Sequence, residues 1–107
     1  MPEPTIPTPA TGVVPPIDGY FINRSSEAKE YLVALRVNSV IAWSEVMMTI
    51  LDLEQDPYPS NRIELRDPFD NRVTFKLKIP TVMHAITYRV DDTQHKVYIA
   101  DVTTYII

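Results

Sequence analysis

The sequence predicts an α+β domain in which a helical hairpin covers one face of a small antiparallel sheet, in the order β-α-α-β-β-β-β. Two patterns carry this prediction. Residues 27–54 repeat apolar side chains at three- and four-residue steps, as an amphipathic helix does. Residues 62–107 contain alternating or β-branched apolar runs, separated by polar or proline-containing turns that are typical of consecutive strands. With the helices on one side, the other face of the sheet is expected to be open.

Length and composition limit the kinds of site that this chain can hold. Its 107 residues give room for one core, and the absence of cysteine excludes disulfides and thiolate metal sites. We expect no metal and no cofactor. The net charge of −4 argues against non-specific binding of nucleic acid, which depends on neutralising phosphates. Residues 1–61 carry three basic and eight acidic groups, and residues 62–96 carry seven and five. An anionic partner is therefore expected to meet the second half.

The chain begins with a proline-rich segment. Residues 1–17 contain six of the ten prolines and no amphipathic period, so they predict a flexible N-terminal arm. This arm is either a free tail or a segment that docks along its own domain or a partner. Residues 18–107 form the expected single domain. Since neither a long apolar span nor a basic, apolar leader is present, we expect a cytoplasmic protein that contacts no membrane.

The helical region begins after a short predicted strand at residues 20–22. Ser25 or Ser26 is the expected cap of the first helix, and residues 37–39 are the expected break before a second helix that ends near Glu54.

The second helix carries more apolar surface than one sheet face can cover. The excess includes Trp43, Met47 and Met48. Two interpretations follow: the helices bury these side chains against each other, or the side chains form a surface for a partner or for a homodimer.

Four strands are predicted after the helices. Residues 62–66 alternate as the first, and residues 72–79 alternate apolar with basic or polar side chains as the second. The third is expected over residues 82–90 and is followed by a polar hairpin. The last, residues 96–107, is almost continuously apolar, so it is expected to be covered on both sides.

Several side chains in these strands are candidates for a site, and each has a structural alternative. Lys76 and Lys78 share one strand face, which is either a binding face or simply a solvated one. His84 is of a type suited to acid–base chemistry, but it shares a face with apolar residues, which favours a histidine at the edge of the core. Tyr105 is either a packed aromatic or a proton donor. Asp101 is expected to pair with a basic group or to face solvent.

Five segments together resemble the RelE/ParE superfamily of toxins from type II toxin–antitoxin pairs. They are SEAKEYLVAL, LEQDPYPSNRIEL, FKLK, ITYRVDD and KVYIADV, in this order between Tyr20 and Tyr105. The resemblance implies a protein whose concave sheet face receives either RNA at the ribosome or the C-terminal segment of a cognate antitoxin. An action directed at gyrase is a further alternative.

The resemblance also implies roles for particular residues. The expected active-site residues are Lys76, Lys78, His84 and Tyr105. Those expected to contact RNA or a partner are Arg72, Lys76, Lys78 and Arg89. Two departures bear on activity: His84-Ala85 stands where the family often has a tyrosine–arginine pair, and residues 103–105 replace a basic run. These departures favour binding over ribosome-dependent ribonuclease activity. The alternative function is a catalytically silent protein-interaction module with the same fold.

Overall fold

Two helices pack on one face of a five-stranded sheet in the computed structural model, which describes residues 19–106. The elements are β1 (Phe21–Arg24), α1 (Ser26–Asn38), α2 (Val40–Gln55), β2 (Ile63–Arg66), β3 (Val73–Ile79), β4 (His84–Asp91) and β5 (Lys96–Thr104). The spatial order of the strands is β1-β5-β4-β3-β2. The predicted α+β class and element order are confirmed, and the predicted arm lies outside the described residues.

The sheet is mixed, whereas the sequence predicted a wholly antiparallel one. β2 to β5 form an antiparallel meander, but β1 pairs in parallel with β5, so that Phe21 lies opposite Lys96 and Arg24 opposite Ile99. The helical hairpin carries the chain between the two edges of the sheet, from β1 to β2. A four-residue strand pattern contains no information about orientation, because its side chains alternate in either kind of pair.

Two serines determine where the helices begin. The Ser25 hydroxyl oxygen accepts a hydrogen bond from the Ala28 amide at 3.0 Å, and the hydroxyl donates to the Ala100 carbonyl at 2.7 Å, which ties the start of α1 to β5. Ser39 ends α1 by donating its amide hydrogen to the Leu35 carbonyl, and its hydroxyl accepts from the Ala42 amide to begin α2. The predicted break between the helices is confirmed.

The core lies between the helices and one face of the sheet. Its buried side chains come from α1, α2 and β3 to β5, and they include Leu32, Val46, Ile50, Leu53, Phe75, Leu77, Ile86, Tyr88, Val97, Ile99 and Val102. Burial of this apolar surface is the main source of stability.

The prediction that the last strand is covered on both sides is wrong. Val97, Ile99 and Val102 are buried, but Tyr98 between the first two is exposed. The step from Ile99 to Val102 is three residues because the pairing shifts at this point: Tyr88 lies opposite Ile99, whereas Thr87 lies opposite Asp101. This β-bulge adds one residue to β5, so that Val102 points into the core like Val97 and Ile99. The strand therefore reads as a nearly continuous apolar run although only one of its faces is buried.

The strand predicted over residues 82–90 begins later, at His84. Pro80–Val82 form a single 3-10 turn, and Met83 follows in the left-handed region with φ 53°. The Met83 carbonyl accepts a hydrogen bond from the Tyr105 amide at 3.0 Å, so this turn is held against the end of β5.

A carboxylate joins three segments that are distant in sequence. The hydroxyls of Tyr20 and Tyr58 both donate hydrogen bonds to the Asp92 carboxylate in the β4–β5 turn. Tyr20 also stacks on the His95 ring, with 5.1 Å between the ring centroids. These two hydrogen bonds lower the pKa of the Asp92 carboxyl, and the bond from Tyr58 has the larger effect.

We expect Asp92→Asn to lower stability at neutral pH, with a difference from the wild type that shrinks in acid. Because the folded-state pKa of Asp92 is lowered, its ionised form stabilises the fold above its unfolded pKa, about 3.9, and this contribution is lost as the pH falls through the folded value. Urea unfolding followed by circular dichroism between pH 7 and pH 2 checks this. Asp91→Asn, at the end of β4, is the control, because the Asn oxygen can still accept the hydrogen bond from the Gln94 amide. A difference that is constant with pH would contradict the assignment.

Candidate functional site

The sheet face that points away from the helices carries three of the four predicted binding residues, Lys76, Lys78 and Arg89, and we call it the open face. Lys76 and Lys78 project from β3, alternating with the buried Phe75, Leu77 and Ile79. In the sheet register, Thr87 lies opposite Lys76. β3 lies between β4 and the edge strand β2, so a partner on these lysines could contact several strands at once.

Two cations on the open face each lie over an aromatic ring. The Lys78 ammonium is 5.2 Å from the centroid of Tyr105, and the Arg89 guanidinium is 5.2 Å from the centroid of Tyr98. Cation–π contacts of this length fix the direction of long side chains without neutralising their charge. The structure thus brings the predicted residues Lys78 and Tyr105 together.

One edge of the open face is apolar. Ile63 lies opposite Lys76 in the register of β2 with β3, and Leu65 lies opposite Thr74. Both apolar side chains are exposed. The open face therefore carries exposed apolar side chains as well as lysines, which phosphate contacts alone would not use.

Arg72 is not brought to the two lysines. It precedes β3, its guanidinium pairs with Asp70 in its own turn at 3.5 Å, and the six residues to Lys78 span about 20 Å of extended chain. Asp101 is exposed and lies opposite Thr87, and its carboxylate accepts a hydrogen bond from the Val102 amide. The expectation that Asp101 faces solvent is confirmed.

His84 points into the helix side of the sheet, away from the lysines. Its ring is buried, with Nδ1 2.8 Å from the Val82 carbonyl oxygen and Nε2 2.7 Å from the Tyr31 hydroxyl. A carbonyl can only accept, so Nδ1 carries the proton, and the Tyr31 hydroxyl donates to Nε2 when the ring is neutral. Both ring nitrogens are used internally, which confirms the interpretation of a histidine at the edge of the core.

The apolar residues singled out on α2 divide into two groups. Trp43 and Met47 are half-buried against the core, whereas Met48 is exposed. The helices therefore cover part of this surface, and Met48 lies on the remainder.

Sequence reasoning missed two residues near the site. Tyr98 was placed inside a strand covered on both sides, although its position between Val97 and Ile99 would have shown its outward direction under strict alternation. Tyr31 contacts His84 on the helix side, and no sequence signal pairs these two residues across 53 positions.

The described residues contain no cluster of three or more histidine, aspartate or glutamate side chains that could hold a metal ion. Within residues 19–106, neither helix is long and apolar enough to cross a membrane.

This chain is similar to known proteins in its fold but not in its sequence. No protein-family model matches the chain, and no curated protein matches its sequence. The toxin–antitoxin complex RelBE2 from Mycobacterium tuberculosis aligns with a TM-score of 0.66 and 20% identity, covering 86% of this chain and 98% of that one. The isolated E. coli RelE toxin aligns with a TM-score of 0.65 and 18% identity, covering 82% of this chain and 86% of that one.

The YoeB/ParE toxin from Agrobacterium tumefaciens aligns with a TM-score of 0.64 and 10% identity, covering 80% of this chain and 99% of that one. In all three alignments the match accounts for most of both chains. This chain is therefore a divergent example of the RelE-like toxin fold.

Proposed function

We propose that this chain is the toxin of a type II toxin–antitoxin pair and that a cognate antitoxin binds its open face. The observation that carries the proposal is the row of Lys76 and Lys78 beside the exposed Ile63 and Leu65. The carboxylates of an antitoxin segment could pair with the two lysines, and its apolar side chains could pack against Ile63 and Leu65. One of the similar structures, that from M. tuberculosis, is of a toxin–antitoxin complex, which supports this assignment.

We propose further that this toxin acts in the cytoplasm by binding its target, without cleaving RNA. Acid–base chemistry needs a proton acceptor within reach of the reacting group. Both ring nitrogens of His84 instead form hydrogen bonds inside the protein, to the Val82 carbonyl and the Tyr31 hydroxyl. Arg72 is paired with Asp70. The ribosome and gyrase are the alternative targets.

A second candidate is ribosome-dependent cleavage of mRNA. It is favoured by one contact, that of the Lys78 ammonium with the Tyr105 ring, which places a cation next to a phenol. Such a pair can stabilise the charge that develops during phosphoryl transfer.

Expression with and without the neighbouring open reading frame tests the proposed function. We expect growth arrest when the chain is expressed alone and growth when the neighbour is co-expressed. Lys76→Glu/Lys78→Glu should abolish arrest and weaken antitoxin binding at least roughly tenfold, since two close charge pairs become repulsive. Arg66→Glu, a charge reversal at the end of the edge strand β2 and away from both lysines, should still arrest growth.

Absence of arrest by the wild-type chain would reject the toxin assignment. Arrest together with cleavage of ribosome-bound mRNA in a purified translation reaction, lost in Tyr105→Phe, would select the second candidate. Arrest without cleavage would support the first.

A further inference from the structure

A groove on the helix side gathers all the basic residues of the first half of the chain. Residues 1–61 contain only three, and each of them lines one groove of about 700 Å³ between β1, α1 and α2. They are Arg24, Lys29 and Arg36. Since this half of the chain is otherwise acidic, their convergence concentrates positive charge in a concave site, which attracts anions more strongly than the same charges spread over a surface.

The walls between these cations are apolar. Val33 and Val37 of α1 line the groove, and Val37 is 83% exposed. Trp43 and Met47 of α2 form the opposite wall, and the Arg36 guanidinium lies 5.0 Å from the centroid of the Trp43 ring. Exposed apolar side chains that adjoin aromatic, methionine and arginine residues are typical of the centre of a protein interface.

The spacing along α1 defines the complementary ligand. Lys29 and Arg36 are seven residues apart, which is two helical turns or about 10 Å, with Val33 between them on the same side of the helix. Two carboxylates about 10 Å apart with an apolar side chain between them are presented by a helix with acidic residues at positions i and i+7.

We propose that this groove binds an acidic amphipathic helix of a partner protein. A second copy of this chain fits less well, because a two-fold symmetric contact would place the same three cations against each other. The groove lies on the opposite side of the sheet from Lys76 and Lys78, so the proposal does not depend on the function of the open face.

Trp43 provides a direct test, because it is the only tryptophan in the chain and lines the groove. The probe is an 18-residue synthetic amphipathic helix with leucines on one face and flanking glutamates seven residues apart. Its twin carries lysines in place of the glutamates. We expect the acidic peptide to shift the Trp43 emission of the full chain and the lysine twin to leave it unchanged.

Charge exchange makes the test specific. Lys29→Glu/Arg36→Glu should weaken binding of the acidic peptide roughly tenfold or more. The same variant should bind the lysine twin more tightly than the wild type does. Lys76→Glu/Lys78→Glu should keep the Trp43 response to the acidic peptide. Circular dichroism of each variant confirms that the fold is retained.

Three results would overturn the proposal. One is an unchanged Trp43 emission with the acidic peptide at millimolar concentration, or an equal response in the groove variant. Another is self-association of the wild type in sedimentation experiments that Lys29→Glu/Arg36→Glu alters, which would make the groove a contact between copies. The third is a shift of Trp43 emission in Val13→Asp/Val14→Asp without peptide, which would assign the groove to the arm of the same chain.

Discussion

Tyr88→Ala is expected to lower the free energy of unfolding by about 3–5 kcal/mol, the cost typical of removing a large aromatic side chain from a core. Tyr88 is fully buried, its ring lies 5.4 Å from that of Phe75, and its hydroxyl donates to the Pro57 carbonyl at 2.8 Å. Burial raises the pKa of Tyr88 to about 12, so the hydroxyl remains a donor at neutral pH. The substitution therefore creates a cavity and also releases the α2–β2 connection.

Two variants separate these effects in urea unfolding experiments. Tyr88→Phe keeps the ring and leaves the Pro57 carbonyl without its partner, for an expected loss of about 1–3 kcal/mol. Tyr98→Ala, on the other face of the adjacent β5, removes a side chain that is 37% exposed and should cost less than about 1 kcal/mol. Equal losses for Tyr88→Ala and Tyr98→Ala would mean that the two faces of the sheet are not buried as described.

His84→Ala should lower the free energy of unfolding by about 2–4 kcal/mol, because it leaves a cavity and removes the hydrogen-bond partners of Tyr31 and Val82. Tyr31→Phe, which removes one hydroxyl and keeps the ring, should cost about 1 kcal/mol. Both variants are measured by urea unfolding, alongside the growth assay at a temperature where each remains folded.

The two assays together assign a role to His84. A side chain that only supports the fold would reduce stability and leave growth arrest intact in the folded variant. If His84→Ala kept wild-type stability but lost growth arrest, His84 would belong to the functional machinery, and the structural interpretation would be wrong.

The sequence predicted the parts of this fold that local chemistry controls. Serines that cap helices and the apolar stripe of α2 act within a few residues, so they can be recognised in one stretch of sequence. The parallel pairing of β1 with β5 and the bulge beside Ala100 could not be recognised. The parallel pairing depends on contacts between segments 75 residues apart, such as the bond from Ser25 to Ala100. The bulge depends on the register between β4 and β5, which the apolar pattern of β5 alone does not specify.

The candidate site was predicted to a similar extent. Alternation along β3 placed Lys76 and Lys78 on one face, and this is where they lie. The same rule separated His84 from them, since it shares its face with buried residues. The contact of Lys78 with Tyr105, by contrast, depends on where β5 ends relative to β3, which no local pattern specifies.

The parallel strand β1 has a consequence for the order in which the chain folds. β5 comes after every other strand in the sequence, yet it lies between β1 and β4 and accepts the bonds that anchor Ser25. β1 therefore has no strand partner until β5 exists, and closing so long a loop slows folding. During synthesis, we expect β1 to acquire protection from hydrogen exchange together with β5 and after the β3–β4 hairpin. Earlier protection of β1 would refute this order.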